Sequence, residues 1–203
     1  MGKVIRINSE KPQRKRIEQA LRVLKRGGLV IFPTETVYGL GASIRFPETI
    51  RKIYRMKKRS RKKPLVLLIG FKKDTRKFTD RLSNEVKTLI RNFWPGPLTL
   101  VLPSKRYKTI ALRIPDHRIA LRLTRGAGPL AVTSANLSGG RENVTLTGVE
   151  NKLLKEADLS IDGGKAPLGR VSTVVDVTKH PFKVIREGYI KEKELRETVK
   201  TQD

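Results

Sequence analysis

Short apolar runs alternate along the chain with stretches of helical periodicity, and this alternation constrains the fold more than any other feature. "LVIF" (29–32) and "PLVLLI" (64–69) are continuous apolar runs of strand length, as expected of strands covered on both faces. "KVIRIN" (3–8), "LTLVL" (98–102), "ALRI" (111–114), "LAVTSA" (130–135), "LSI" (159–161), "STVVDV" (172–177) and "FKVIRE" (182–187) read as further strands. Between them, residues 14–28 set Ile17, Ala20, Leu21 and Leu24 on one helical face and stop at Gly27-Gly28. Residues 47–59 turn Ile50, Ile53 and Tyr54 inward, and residues 83–93 form a helix capped by Ser83 and stopped by "WPGP". Asp116 is expected to cap a short helix over 116–123. Thr147 and Glu150 stand in capping-box register, and 191–200 is a terminal helix. Elements interleaved in this way build an α/β domain around a central sheet. The last two strands flank a short His180-Pro181 turn and predict a hairpin, which makes the sheet mixed. No repeat or linker divides the chain, so one domain over 1–203 is expected.

Composition narrows the partners. The chain carries 45 Lys+Arg against 19 Asp+Glu, a net charge of +26. Ion-pair networks would raise both signs together, whereas here only the basic side is large. The expectation is a polyanionic partner, nucleic acid ahead of an anionic membrane. Cysteine is absent, which removes disulfides, cysteine-ligated zinc, iron–sulfur clusters and cysteine nucleophiles. The two histidines, His117 and His180, are too few for a histidine-built metal site and have no obvious triad partners. No apolar run approaches membrane-spanning length, and "MGKVIRIN" fits neither a signal peptide nor a myristoylation motif. A soluble cytoplasmic protein is expected.

Four stretches carry chemistry. "PTETVYGLG" (33–41) follows a buried strand, where α/β sheets tend to bind ligands, and is neither a Walker loop nor GxGxxG. Thr34 and Thr36 can hydrogen-bond a small ligand, and Gly39 and Gly41 permit close backbone approach; the plain alternative is a tight turn. "KKRSRKKP" (57–64) is either a solvated helix end or a phosphate clamp in which the heads of Lys57 and Arg59 converge. "TSANLSGG" (133–140) is either an anion-binding turn presenting Ser134 and Asn136 or an ordinary polar loop. "VSTVVD" (171–176) places Ser172 and Thr173 in an apolar strand, where the hydroxyls could simply bond sheet backbone. The common theme is anion binding, which favours phosphate chemistry driven by positioning and charge neutralisation.

Taken in order, "PTETVYGLGA", the Lys-x-Arg of "KKR", "FWPGPLTLVL", "LRIPDH", "SANLSG", "STVVD" and "VIREG" resemble the YrdC/Sua5 family of threonylcarbamoyl-AMP synthases. The resemblance runs from about Gly28 to Gly188 and is to the short YrdC form. It implies a twisted mixed sheet flanked by helices, with a concave basic cavity. It also implies a nucleotidyltransferase reaction in which L-threonine, bicarbonate (or CO2) and ATP give threonylcarbamoyl-AMP and pyrophosphate. That product serves N6-threonylcarbamoyladenosine formation at position 37 of tRNA, through a downstream transfer complex. By the same resemblance, Lys57 and Arg59 are catalytic. ATP is bound by Lys57, Arg59, Lys63, Thr109, Asn136, Thr145 and Arg186, with Mg2+ on the triphosphate. Threonine is bound by Thr36, Arg113, Ser134 and Ser172. Lys63 stands where many members have an ATP-contacting asparagine, and Leu68 where the longer members have a threonine-binding histidine. The charge leaves a second reading open, an RNA-binding relative that assists tRNA or ribosome maturation through tRNA or double-stranded RNA.

Overall fold

In a computed structural model that describes residues 2–80 and 82–200, the chain forms one α/β domain around a ten-stranded mixed sheet. The strands are β1 (Lys3–Arg6), β2 (Val30–Phe32), β3 (Gly39–Ser43), β4 (Val66–Leu68), β5 (Leu98–Pro103), β6 (Thr109–Arg113), β7 (Leu130–Ser134), β8 (Leu159–Asp162), β9 (Thr173–Asp176) and β10 (Lys183–Arg186). The helices are α1 (Arg14–Lys25), α2 (Pro47–Met56), α3 (Asn84–Phe93), α4 (Arg118–Ala127), α5 (Asn151–Glu156) and α6 (Glu192–Lys200). The spatial order is β1-β8-β2-β3-β7-β4-β6-β5-β9-β10. β9 and β10 form the expected antiparallel pair, while β4 runs parallel to β6 and antiparallel to β7.

Three apolar clusters fasten helices to the sheet. α1 and α4 bury Ile17, Ala20, Leu24, Ile119 and Leu123 against Val30, Phe32 and Leu130. α2 and α5 bury Ile53, Met56, Leu153 and Leu154 against Leu29, Ile31 and Leu40. α3 and α6 bury Leu89, Ile90 and Leu195 with Trp94, Leu98 and Leu100. The middle of the sheet is thereby covered, which is why its strands read as apolar runs.

Tertiary bonds overrule the local signals at three places. Asp116 caps nothing: His117 is the N-cap of α4 and is still extended (φ −146°, ψ 123°), so the Asp116 side chain lies one residue too early. The Thr147–Glu150 box does not close. Thr147 sits in a 3-10 turn with its hydroxyl 3.0 Å from that of Thr145, and Glu150 Oε1 accepts from Leu137 N at 3.1 Å. Gly39 and Gly41 lie in β3 rather than in a loop. A Cβ there would come within 2.9 and 2.8 Å of Val132 on β7, so both glycines serve strand packing. The Ser83 cap forms as expected, accepting from Val86 N at 3.3 Å.

Candidate functional site

The strand order brings the four chemical stretches to one cavity. Its volume, counted with its open mouth, is about 640 Å3. Thr36, Arg59, Arg113, Ser134, Ser172 and Arg186 line it, together with an apolar wall from Val66, Leu68, Val132 and Val171. Three of the lining residues are arginines, and the lining contains no carboxylate.

The first wall is the 33–38 connection between β2 and β3. Thr34 closes it locally: its hydroxyl donates to Val37 O at 2.7 Å and accepts from Thr36 N at 3.2 Å. Thr36 Oγ1 accepts from Arg113 Nη2 at 3.0 Å. Arg113, at the end of β6, is buried, and its Nε also donates to Gly96 O at 3.1 Å. Its Nη2 lies 2.7 Å from Oε1 of Glu35, which is equally buried. The distance makes an ion pair, while the angles leave the Glu35 oxygens without an aligned hydrogen bond.

The second wall is the end of α2, and here the middle residue of Lys-x-Arg matters. Lys58 has φ 49°, the left-handed region. Arg59 N donates to Tyr54 O at 2.9 Å and Lys58 N to Arg55 O at 3.1 Å. That is a Schellman ending with a lysine where glycine is usual. The two flanking side chains take different partners. Arg59 turns to the cavity and is steadied by Lys63 O at 2.8 Å and Pro64 O at 3.0 Å. Lys57 turns behind β7, where Nζ donates to Thr133 Oγ1 at 3.3 Å, Asn136 Oδ1 at 3.2 Å and Ser134 O. Burial, with Arg59 nearby, pulls the Lys57 ammonium down to about 8.

The remaining walls follow from β7 and β9. Ser134 Oγ donates to Asn136 Oδ1 at 2.6 Å, and Asn136 Nδ2 to Gly140 O at 2.7 Å, so Lys57, Ser134 and Asn136 form one network. Ser172 Oγ lies 2.9 Å from Thr99 Oγ1, and Arg186 Nη2 donates to Ser172 O at 2.9 Å. The Arg186 guanidinium is held below its ordinary range, first by burial; Glu142 opposes the shift, and Arg113 and Arg59 add to it. Burial lowers Arg59 as well. Cations gathered this closely favour an anion among them.

Not every expected residue reaches the cavity. Lys63 is exposed and meets Arg59 through its backbone carbonyl. Thr109 lies at the far end of β6 from Arg113, and Thr145 precedes the 3-10 turn, both half-buried outside the lining. Asn136 and Lys57 are buried beneath the lining. Leu68 contributes to the apolar wall. Sequence reasoning missed Glu35, although it stands between two singled-out threonines, because its partner Arg113 is remote in the chain. It also missed Tyr38, whose buried hydroxyl donates to Gly164 O at 2.7 Å and accepts from Gly163 N at 3.1 Å. Burial pushes that phenol up to about 12. Among the described residues, no group of three or more His, Asp or Glu is placed to hold a metal ion. No described helix is long and apolar enough to cross a membrane.

Fold and cavity together define an α/β protein with an arginine-lined cleft. A family model for Sua5, YciO and YrdC, described as telomere recombination, matches residues 22–188. The threonylcarbamoyl-AMP synthase of Pyrococcus abyssi is 34% identical over 201 residues, covering 92% of this chain and 59% of the relative. That of Bacillus subtilis is 36% identical over 194 residues, covering 90% and 56%. The crystal structure of P. abyssi Sua5 complexed with L-threonine superposes with a TM-score of 0.91 at 33% identity, over 96% of this chain and 60% of that one. The chain belongs to the Sua5/YciO/YrdC family. It spans little more than half the length of these curated relatives, 59% and 56%.

Proposed function

We propose that the chain is an L-threonylcarbamoyladenylate synthase, a nucleotidyltransferase that supplies threonylcarbamoyl-AMP for tRNA modification. The observation that carries this reading is the union, in one cavity, of three arginines, a hydroxyl-rich recess and an apolar wall, with no carboxylate in the lining. An amino acid carrying a carboxylate, a hydroxyl and a methyl group suits Arg113, Thr36, Ser134, Ser172 and the valines. A triphosphate suits Arg59 and Arg186. Arg113 would take the carboxylate, for which a planar guanidinium is well shaped.

The chemistry needs little more. The amine takes up CO2 and loses a proton, giving a carbamate; starting from bicarbonate, one water is released in place of that proton. A carbamate oxygen then attacks the α-phosphorus, the bond to the bridging oxygen breaks, and pyrophosphate leaves. Two anions must approach each other. Arg59 and Arg186 lower that barrier by neutralising charge on phosphate oxygens. Lys57 acts by holding Ser134 and Asn136 in place beneath the lining. Magnesium would come with the nucleotide rather than in a full protein cage, and would add to the charge neutralisation that Arg59 and Arg186 supply on the phosphates. The product passes to a transfer complex that modifies tRNA, in the cytoplasm, and the basic surface engages tRNA or duplex RNA along the way.

Incubation with ATP, bicarbonate and threonine, followed by mass detection of the adenylate, tests the reading. Pyrophosphate should appear only when threonine and bicarbonate are both present. Equal release with serine, or without any amino acid, would remove the assignment.

A further inference from the structure

We propose that Glu35 is a positioning residue: its buried carboxylate locks the Arg113 guanidinium with Nη1 left for the carboxylate of the amino acid. This rests on the proposed synthase reading for its substrate, though not for its geometry.

Arginine carries five N–H donors in a rigid plane. In Arg113 the Nε–Nη2 edge belongs to the protein, through Gly96 O, Thr36 Oγ1 and Glu35 Oε1. Nη1 remains for the cavity that the residue lines. Glu35 is 4% exposed, and both its carboxylate oxygens are buried without an aligned donor. A carboxylate in that state is costly unless an opposite charge compensates it. Among the described residues, Arg113 is the cation in contact with it.

His117, the N-cap residue of α4, lies close enough to feel the Glu35 charge. It is buried, and its Nδ1 likewise lacks a partner. Burial holds this imidazole below its usual range, and Glu35, then Glu10, are the charges that oppose the shift. The ring is therefore neutral, which leaves Arg113 as the counter-charge of the carboxylate. A buried ion pair can often be replaced as a whole by apolar residues of similar volume without loss of stability. The charge is better explained by what it does to Arg113 than by what it does for the fold.

Two substitutions separate those roles. Glu35→Gln keeps the length and an acceptor but removes the charge; Glu35→Asp keeps the charge and withdraws it by one methylene. In the unliganded protein, the Arg113 Nη protons should give resolved, slowly exchanging NMR signals. In Glu35→Gln those signals should average. With substrates, KM for threonine should rise about tenfold, or ~1.4 kcal/mol of binding, with kcat and KM for ATP held within about twofold. Glu35→Asp should show smaller changes in both readouts. Unchanged Arg113 signals, or an unchanged KM alongside a lowered unfolding midpoint, would overturn the proposal. Should Glu35→Gln not fold, wild-type signals and KM in Glu35→Asp would overturn it equally. A wild-type protein without threonine-dependent pyrophosphate release would refute the synthase reading alone, because the NMR measurement uses no substrate.

Discussion

The cavity and the outer side of the α1–α4 pair both carry arginines, and they hold them in opposite ways. On the helices, Arg14, Lys15, Arg16, Arg22, Lys25, Arg118, Arg122 and Arg125 are all exposed, and Glu18 is the sole acid in the two helical spans. Their contacts are those of a surface: Arg14 meets Glu18 at 2.7 Å, and Arg125 lies over the exposed Phe71 ring at 5.0 Å. In the cavity, Arg113 is buried, Arg59 half-buried and Arg186 exposed, and each is oriented by acceptors on neighbouring segments. A placed charge acts through its geometry. A field of exposed charges acts through its number and is screened by salt.

The largest test of that difference is Arg113→Ala against Arg122→Ala. Removing Arg113 strands the Glu35 carboxylate in the interior, so unfolding stability should fall by about 3–5 kcal/mol. Arg122→Ala should stay within about 0.5 kcal/mol of wild type. Urea titration of both variants measures this. Similar midpoints would erase the distinction between the two regions.

Arg59→Ala comes next. It should lose roughly 2–4 kcal/mol of transition-state stabilisation, as when a preorganised donor is removed. Its fold should hold, because the Schellman ending uses backbone bonds. Near-normal turnover would return Arg59 to the class of solvated helix ends.

Lys57 gives an effect of intermediate size and unusual sign. Its ammonium is lowered from 10.5 to about 8 in the folded protein. Above about 8 it loses the charge that draws Ser134 and Asn136 together, so turnover should fall there. Stability runs the other way. Between about 8 and 10.5 the unfolded chain binds the proton and the folded one does not, so the cost of holding this charge buried is relieved as pH rises. Unfolding midpoints of wild type minus Lys57→Met should therefore climb over the window in which turnover declines. A difference that stays flat across that window would mean that Lys57 titrates like an exposed lysine.

These residues also mark how far the sequence could be read. The buried strands and most helices were legible because apolar periodicity reports burial directly, as in Val30–Phe32 and Ile17–Leu24. The cavity was legible as a set of polar stretches following strands. What each side chain does there was less so. A clamp of Lys57 and Arg59 was one of two readings of that stretch; with Lys58 left-handed between them, Lys57 bonds the 133–136 segment while Arg59 lines the cavity. Nothing about a lysine announces that conformation. Asp116 and Thr147 looked like caps because capping rules are local, while tertiary bonds chose the helix starts. Glu35 had no visible role because its meaning depends on Arg113 arriving beside it.

On the exposed side, the comparison is sharpened by salt. If the α1–α4 cations contribute to RNA binding, log affinity for duplex RNA or tRNA should fall linearly with log salt, each neutralised phosphate adding about 0.7–0.9 to the slope. Arg22→Glu with Arg122→Glu should flatten that slope similarly for both RNAs and leave adenylate formation unchanged. With aromatics at 5% of residues, stacking platforms for unpaired bases are scarce, so a preference for one tRNA surviving high salt is not expected. Such a preference would point to a recognition surface rather than a field.

The smallest effect belongs to Lys58, at the boundary between the two kinds of charge: exposed itself, but setting the direction of Arg59. A side chain at φ 49° crowds its own carbonyl, at about 1–2 kcal/mol. Glycine escapes that penalty and gives back about 0.5–1 kcal/mol through the freedom it gains when unfolded. Lys58→Gly should therefore stabilise the protein by roughly 0.5–1 kcal/mol, the difference between those two terms. Because the reversal is preserved, turnover should not change, even though the site loses a nearby positive charge. Lys58→Val tests the same point from the other side, since a β-branched residue is poorly tolerated in the left-handed region. It should destabilise the end of α2 and misdirect Arg59, lowering turnover together with stability. Equal turnover in the glycine and valine variants would show that the direction of Arg59 is set by Lys63 O and Pro64 O rather than by the turn.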